Sequence, residues 1–295
     1  MTAALALAAA RAGKRVLAVE VEPKGDLAGA LGSRPVGAAP HLVQHNLSVV
    51  SLHAEESFQE YLRLFFKIPR LARLTPLARV FDFIATGVPG PRDMLVVGKI
   101  AFEERRREPN GRPVWDLILA DCAASGHVVS HLAAPRAMMS LVRGGIIRGQ
   151  VEWVEAMVRD QSRTTALICA LPEEMPVVEA IELHERLRRE AGVAVGACLL
   201  NRAFTTTISP AQRTLLDAML SEGHRDAVSE RLGASPAPLA DSLQLAERMR
   251  DATVKCGREL RSALPVPVVP VPLQTTRAGL ATARAVAEAL AEAAA

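Results

Sequence analysis

Short apolar runs alternate along this chain with longer segments whose apolar positions recur at helical spacing. The runs Arg15–Val21, Leu47–Leu52, Leu117–Ala120, Thr165–Leu171, Val193–Leu200 and Val266–Val271 read as strands, because buried parallel strands have no polar face to alternate with. The alanine- and leucine-rich segment Thr2–Arg11 reads as a helix that Gly13 ends in the left-handed conformation. Val177–Arg189 and the closing Arg277–Ala294 read as further helices. Strands alternating with helices predict an α/β fold with a doubly wound, mostly parallel sheet, and the 295 residues are read as one domain.

Two regions depart from that alternation. Residues 55–107 have a helical pattern and hold Phe58, Tyr61, Phe65, Phe66, Phe81, Phe83 and Phe102 together with Arg63, Lys67, Arg70, Arg73 and Arg79. This basic amphipathic insertion is either an ordinary helical layer with its aromatics packed inward or a surface for a partner helix or apolar client. Residues 210–264 form a second helical excursion, broken at Gly233-Ala234-Ser235-Pro236-Ala237-Pro238, which either covers the ligand edge of the sheet or only packs there.

Composition narrows the classes. Thirty-five Lys plus Arg against 32 Asp plus Glu leave a net charge of +3, which gives no electrostatic case for nucleic acid. No apolar run approaches the length of a transmembrane helix, and the charges near the amino terminus follow the apolar run instead of preceding it. A soluble cytoplasmic protein is expected. Cys122, Cys169, Cys198 and Cys256 lie far apart with no C-x-x-C, so they read as buried thiols and not as a zinc or redox site. His127 and His131 have metal-ligand spacing beside Cys122, a pairing commoner than any metal site.

The candidate chemistry centres on Leu117–His131, LILADCAASGHVVSH. A carboxylate ending a parallel strand and followed by a small-residue turn stands where open α/β sheets place ligands. In nucleotide hydrolases such an acid holds Mg²⁺ or its water, and the loop after it senses the terminal phosphate. The bland alternative is a strand-end Asp that caps the next turn.

Taken in order, AALALAAARAGKRVLAVEVEP, ADCAASGH, ALPEEMPVVEAIEL and GACLLNR resemble the motifs of the arsenical pump-driving and tail-anchored-protein-targeting ATPases, deviant P-loop proteins that work as nucleotide-dependent dimers. The resemblance spans nearly the whole chain and implies ATP and Mg²⁺ as ligands. It makes Glu22 the counterpart of the switch-one acid that positions the attacking water, although the family usually has the shorter Asp there. Asp121 corresponds to the Mg²⁺-side acid, holding the ion through water. Ala123, Ala124, Ser125 and Gly126 form the second switch and His127 closes it, with Ala124-Ser125 replacing the family's Pro-Thr. Asn201 matches the residue that reads the adenine edge, a task an amide suits, and Arg202, Pro272 and Leu273 line the base pocket. Pro172-Glu173-Glu174 reads more simply as a helix start with acids favoured by the dipole.

The chain departs from the family in one respect that matters. It contains no G-x-x-x-x-G-K-[ST], so it has no amide cradle for the phosphates, no lysine on them and no hydroxyl on Mg²⁺. Met1 falls inside the helix that follows that loop in the family. The resemblance therefore implies a sequence beginning after the phosphate loop, by truncation or by a start codon placed too late. It also implies an open slot beside Leu117–Asp121, with Met1 and the first helix near its ligand end and Glu22, Asp121 and Asn201 on one edge of the sheet. Two functions follow. The gene product is an ATPase driving a homodimer or heterodimer between open and closed states, or the chain is an inert binding subunit paired with an intact homologue. Arsenite transport is not supported, since the cysteines are unclustered, and the zinc-bridged dimer of the targeting branch lacks its C-x-x-C. A membrane-protein client remains a family implication.

Overall fold

The computed structural model describes residues 1–21, 24–52, 91–122, 125–142, 144–221, 223–233, 235, 237–276 and 278–294. It is an α/β structure containing parallel strand pairs, as the alternation of runs predicts. Its contacts sort into two compact units, one formed by 1–168, 182–197 and 274–295 and the other by 169–181 and 198–273.

The first unit is built on β1 (Val16–Glu20), whose five residues are all buried. Parallel β3 (Leu47–Ser51), also wholly buried, pairs on one side, and parallel β4 (Leu117–Asp121) pairs on the other. A short antiparallel strand, β2 (His41–Gln44), completes the order β2-β3-β1-β4. β2 is not foreseen by the pattern because HLVQ is short and its leucine is 66% exposed. The expectation that Leu117–Ala120 is fully buried is corrected. β4 ends the order of its sheet, and Leu117 is 37% exposed with the other four residues half-buried, because an outer strand is covered from one side only.

Helix α1 (Thr2–Arg11) packs against β1 and β4 through Ala3, Ala4, Ala6, Leu7 and Ala10, small side chains that let it lie close to the strands. Gly13 stops it at φ +83°. The Gly13 amide donates to Ala10 and the Lys14 amide to Ala9, the paired closure that only a left-handed residue permits without strain. The opposite face of the sheet carries Leu17, Val19, Val21, Val50 and Leu52, which pack with Val96 of α3 (Pro91–Arg105). Of the expected insertion over 55–107, residues 55–90, with their aromatic and basic side chains, lie outside the described residues; 91–105 is helical. α3 joins α4 (Ser125–Leu141) and α5 (Gly145–Arg159) in a layer cored by Met94, Val97, Ala134, Val151, Val154 and Met157.

Three strands, β5 (Ala166–Ala170), β6 (Val195–Ala203) and β7 (Val268–Pro272), form a sheet in that order. α6 (Glu174–Arg186) follows β5, beginning at the acids of the Pro-Glu-Glu sequence, and runs into a π-helical turn, Leu187–Ala191, that Gly192 ends at φ +70°. The excursion over 210–264 is helical: α7 (Pro210–Leu220), α8 (Arg225–Leu232) and α9 (Ala237–Ala263). Ser209 and Gln212 cap α7 reciprocally, and proline at its first position needs no intrahelical donor. The chain closes with α10 (Leu280–Ala294), which packs on α1.

Candidate functional site

In a parallel sheet, register partners project to the same face. Glu20 is the partner of Ser51 on one side and of Asp121 on the other, so the apolar rows below end in one polar row, Ser51–Glu20–Asp121, at the carboxyl ends of the strands. Glu20 and Ser51 are buried at 3% and 2% exposure, while Asp121 on the outer strand is half-buried.

Asp121 is half-buried and is held by α1. The Thr2 hydroxyl donates to its Oδ1 at 2.6 Å, and its carbonyl accepts from the Val21 amide at 3.1 Å. The start of α1 therefore lies at the carboxyl end of β4, as expected, whereas Asn201, expected on the same sheet edge as Asp121, belongs to the other sheet, β5-β6-β7. Among the described residues no strand pairs with the outer side of β4. Glu20 is more deeply placed, at 3% exposure. Its Oε2 accepts from Ser51 Oγ at 2.6 Å and its Oε1 from the Leu27 amide at 3.2 Å, in the first turn of α2 (Asp26–Ala30). Sequence reasoning missed Thr2, Glu20 and Ser51. The signal for Glu20 was present, since VLAVE ends on an acid in the same way as LILAD.

Glu22, Ala123 and Ala124 lie outside the described residues. Ser125, Gly126 and His127 were expected in a loop. They are instead the first turn of α4, with Gly126 and His127 exposed, because the helix begins at Ser125. His131, one turn on, turns its Nε2 to Asp93 Oδ1 of α3 at 3.2 Å. Among the described residues no group of three or more His, Cys, Asp or Glu is placed to hold a metal ion. Asp121 with a neighbouring hydroxyl does suit Mg²⁺, which keeps most of its water and takes one or two carboxylates together with substrate phosphates.

In the second unit, the adjoining ends of β6 and β7 bring four expected residues together. Asn201 partners Val271, Ala203 partners Pro272, and the Leu273 amide donates to Ala203. Asn201 was expected at a strand end; β6 instead continues to Ala203 through a bulge at Arg202, whose φ is +58°. The Asn201 carboxamide oxygen caps that bulge by accepting from the Arg202 amide at 3.0 Å. This fixes the side chain and leaves its NH₂ as the group with donors to offer.

A profile of anion-transporting ATPases matches residues 1–152, which includes β1, β4, Thr2, Glu20 and Asp121. The chain belongs to the anion-transporting ATPase family. The ATPase BagA of Mycobacterium tuberculosis and the protein Mb3704 of Mycobacterium bovis, whose name also describes an ATPase, are each 28% identical to it over 310 residues. Each alignment covers 99% of this chain and 88% of the relative. Family membership and the mixed α/β sheet place the chain among folds of the P-loop NTPase type. Among the described residues no helix is long and apolar enough to cross a membrane.

Proposed function

We propose that this family member serves an ATP-hydrolysing machine in which nucleotide binding and turnover drive a homodimer, or a heterodimer with a related ATPase, between conformations in the cytoplasm. The observation that carries the reading is Asp121, an acid at the carboxyl end of a parallel strand, oriented by a hydroxyl from the first turn of α1. In this reading all 295 residues belong to one ATPase domain with helical insertions at 55–107 and 210–264. Asp121 holds Mg²⁺ through water, and Glu22 orients the water that attacks the terminal phosphate. Ala123 to His127 respond to that phosphate, and Asn201, with Arg202, Pro272 and Leu273, receives the adenine. Mg²⁺, when bound, neutralises charge building on the phosphate oxygens. The helical regions are the candidate surface for an apolar or membrane-protein client.

A second reading is favoured by one specific observation, the absence of G-x-x-x-x-G-K-[ST] from these 295 residues. In it, the chain is a non-catalytic binding or regulatory subunit that pairs with an intact homologue. Translating the DNA upstream of Met1 in frame separates the two. A glycine-rich G-K-[ST] within about 30 codons supports the ATPase, and an immediate stop supports the binding subunit. Magnesium-dependent hydrolysis is then assayed with and without the extension. The 295-residue chain is expected to show none, since positioning and charge stabilisation supply nearly all of phosphoryl-transfer catalysis. The extended protein is expected to turn over slowly, to lose turnover in Asp121→Ala, and in Glu22→Gln to lose rate while still binding ATP.

A further inference from the structure

At the carboxyl ends of β6 and β7 the chain turns a side-chain amide against its own backbone. Arg202 bulges out of the ladder at φ +58°, a conformation that a residue with a Cβ holds only where its surroundings fix it. Asn201 supplies one fixing bond, its Oδ1 accepting from the Arg202 amide at 3.0 Å. The ladder closes on either side, with Asn201 opposite Val271 and the Leu273 amide donating to Ala203.

The cap settles which way the carboxamide faces. A backbone amide only donates, so the atom turned to it is the oxygen, and the NH₂ faces elsewhere. That NH₂ has no hydrogen-bond partner among the described residues, although Asn201 is half-buried. Arg202 is exposed, and its guanidinium has no ion pair among the described residues. Both uncommitted groups donate and neither accepts.

This bears on how a base is read. An amide reads adenine by donating to a ring nitrogen while its oxygen accepts from the 6-amino group, and the second half of that pair needs the oxygen. At Asn201 the oxygen is committed to the backbone. We infer that Asn201 receives a purine by donating to a ring acceptor alone, so that purine nucleoside triphosphates bind alike with and without the 6-amino group. That a nucleotide is the ligand rests on the ATPase reading, whereas the direction of the donor rests on the bond between Asn201 and Arg202.

Competition against ribose-labelled fluorescent ATP, on the natural full-length protein, compares Kd for ATP and for purine riboside 5′-triphosphate, which lacks only the 6-amino group. In wild type the two values should agree within about threefold. A site that hydrogen-bonds the amino group rejects an analogue without it, so a larger loss overturns the inference while the binding of ATP leaves the ATPase reading in place. Asn201→Asp keeps the cap, because a carboxylate oxygen accepts from the Arg202 amide, but puts an acceptor where the NH₂ stood. It should favour ATP over the analogue by about tenfold or more, since only adenine offers a hydrogen. An unchanged ratio in Asn201→Asp would show that Asn201 serves the bulge and not the base, and would also overturn the inference. Should that variant bind neither nucleotide, the wild-type ratio decides alone. If wild type binds neither, the ATPase reading fails and this inference falls with it.

Discussion

Thr2 and Asp121, 119 positions apart, share a 2.6 Å hydrogen bond that joins the first turn of α1 to the carboxyl end of β4. It lies at the outer side of β4, where no strand pairs among the described residues, and adds a tie from α1 to the contacts that β4 makes with β1 and α3. Thr2→Val removes the donor and leaves the half-buried carboxylate to water. A loss of about 1–2 kcal/mol is expected by urea denaturation, with Thr2→Ser close to wild type. Equal stability in Thr2→Val would show that the bond is not formed in solution.

A second prediction concerns acid. Arg15 donates to both oxygens of Asp116 through its guanidinium, at 3.1 and 2.8 Å, and its own amide donates to Oδ2 at 2.8 Å. These side-chain bonds first, and the backbone bond second, hold the Asp116 carboxyl well below the ordinary carboxylate range. A depressed acid contributes stability that is fully present above its unfolded value of about 4 and is lost as pH falls from there toward the folded value. Unfolding midpoints of wild type and Asp116→Asn should therefore converge as pH drops from 5 toward about 2. Parallel curves would refute the linkage.

The third follows from a buried charge cluster on α3. Lys99, 5% exposed, lies 3.3 Å from Glu103, 2% exposed, and Glu103 also accepts from Arg106 at 2.7 Å and from the Trp115 indole at 3.1 Å. Glu103→Leu leaves Lys99 buried opposite an apolar side chain, at an expected cost of about 3–5 kcal/mol. Lys99→Met combined with Glu103→Leu should recover much of that loss. A double-mutant cycle on thermal or urea unfolding reads the coupling, and additive losses would show that the two groups act independently.

Thiol reactivity supplies the fourth. Burial first, with neighbouring Cys169 second, pushes the Cys198 thiol up to about 11. At pH 8 Cys198 is then almost wholly protonated in the folded protein, and reaction with a disulfide reagent should follow global unfolding. Cys122 and Cys169 are exposed, against the expectation of four buried thiols, and Cys169 on β5 should react in the native state. Rapid native labelling of Cys198, located by peptide mapping, would contradict its buried placement.

The strand runs, the helices at 2–11 and 210–264, and the Asp121 strand end were legible because each is a local pattern. An apolar run bounded by turn residues, or a proline and serine opening a helical period, needs no distant partner to be recognised. The helical start of α4 at Ser125 and the bulge at Arg202 were not legible. The bulge at Arg202 lies where β6 pairs with β7, a strand distant in sequence.

The sequence by itself determined the α/β class, the family resemblance, the acid at the end of LILAD and the lack of a phosphate-loop motif in these residues. Tertiary structure decided which polar residues meet. Val16–Glu20 and Leu117–Asp121 look alike as strings, yet parallel register places Glu20 between two strands and Asp121 on the outer one. Glu20 is therefore enclosed and bonded to Ser51 and Leu27, while Asp121 stays half-buried beside Thr2. Strand order is fixed by packing among segments a hundred residues apart, which no local pattern encodes, and it separates the enclosed acid Glu20 from the half-buried Asp121.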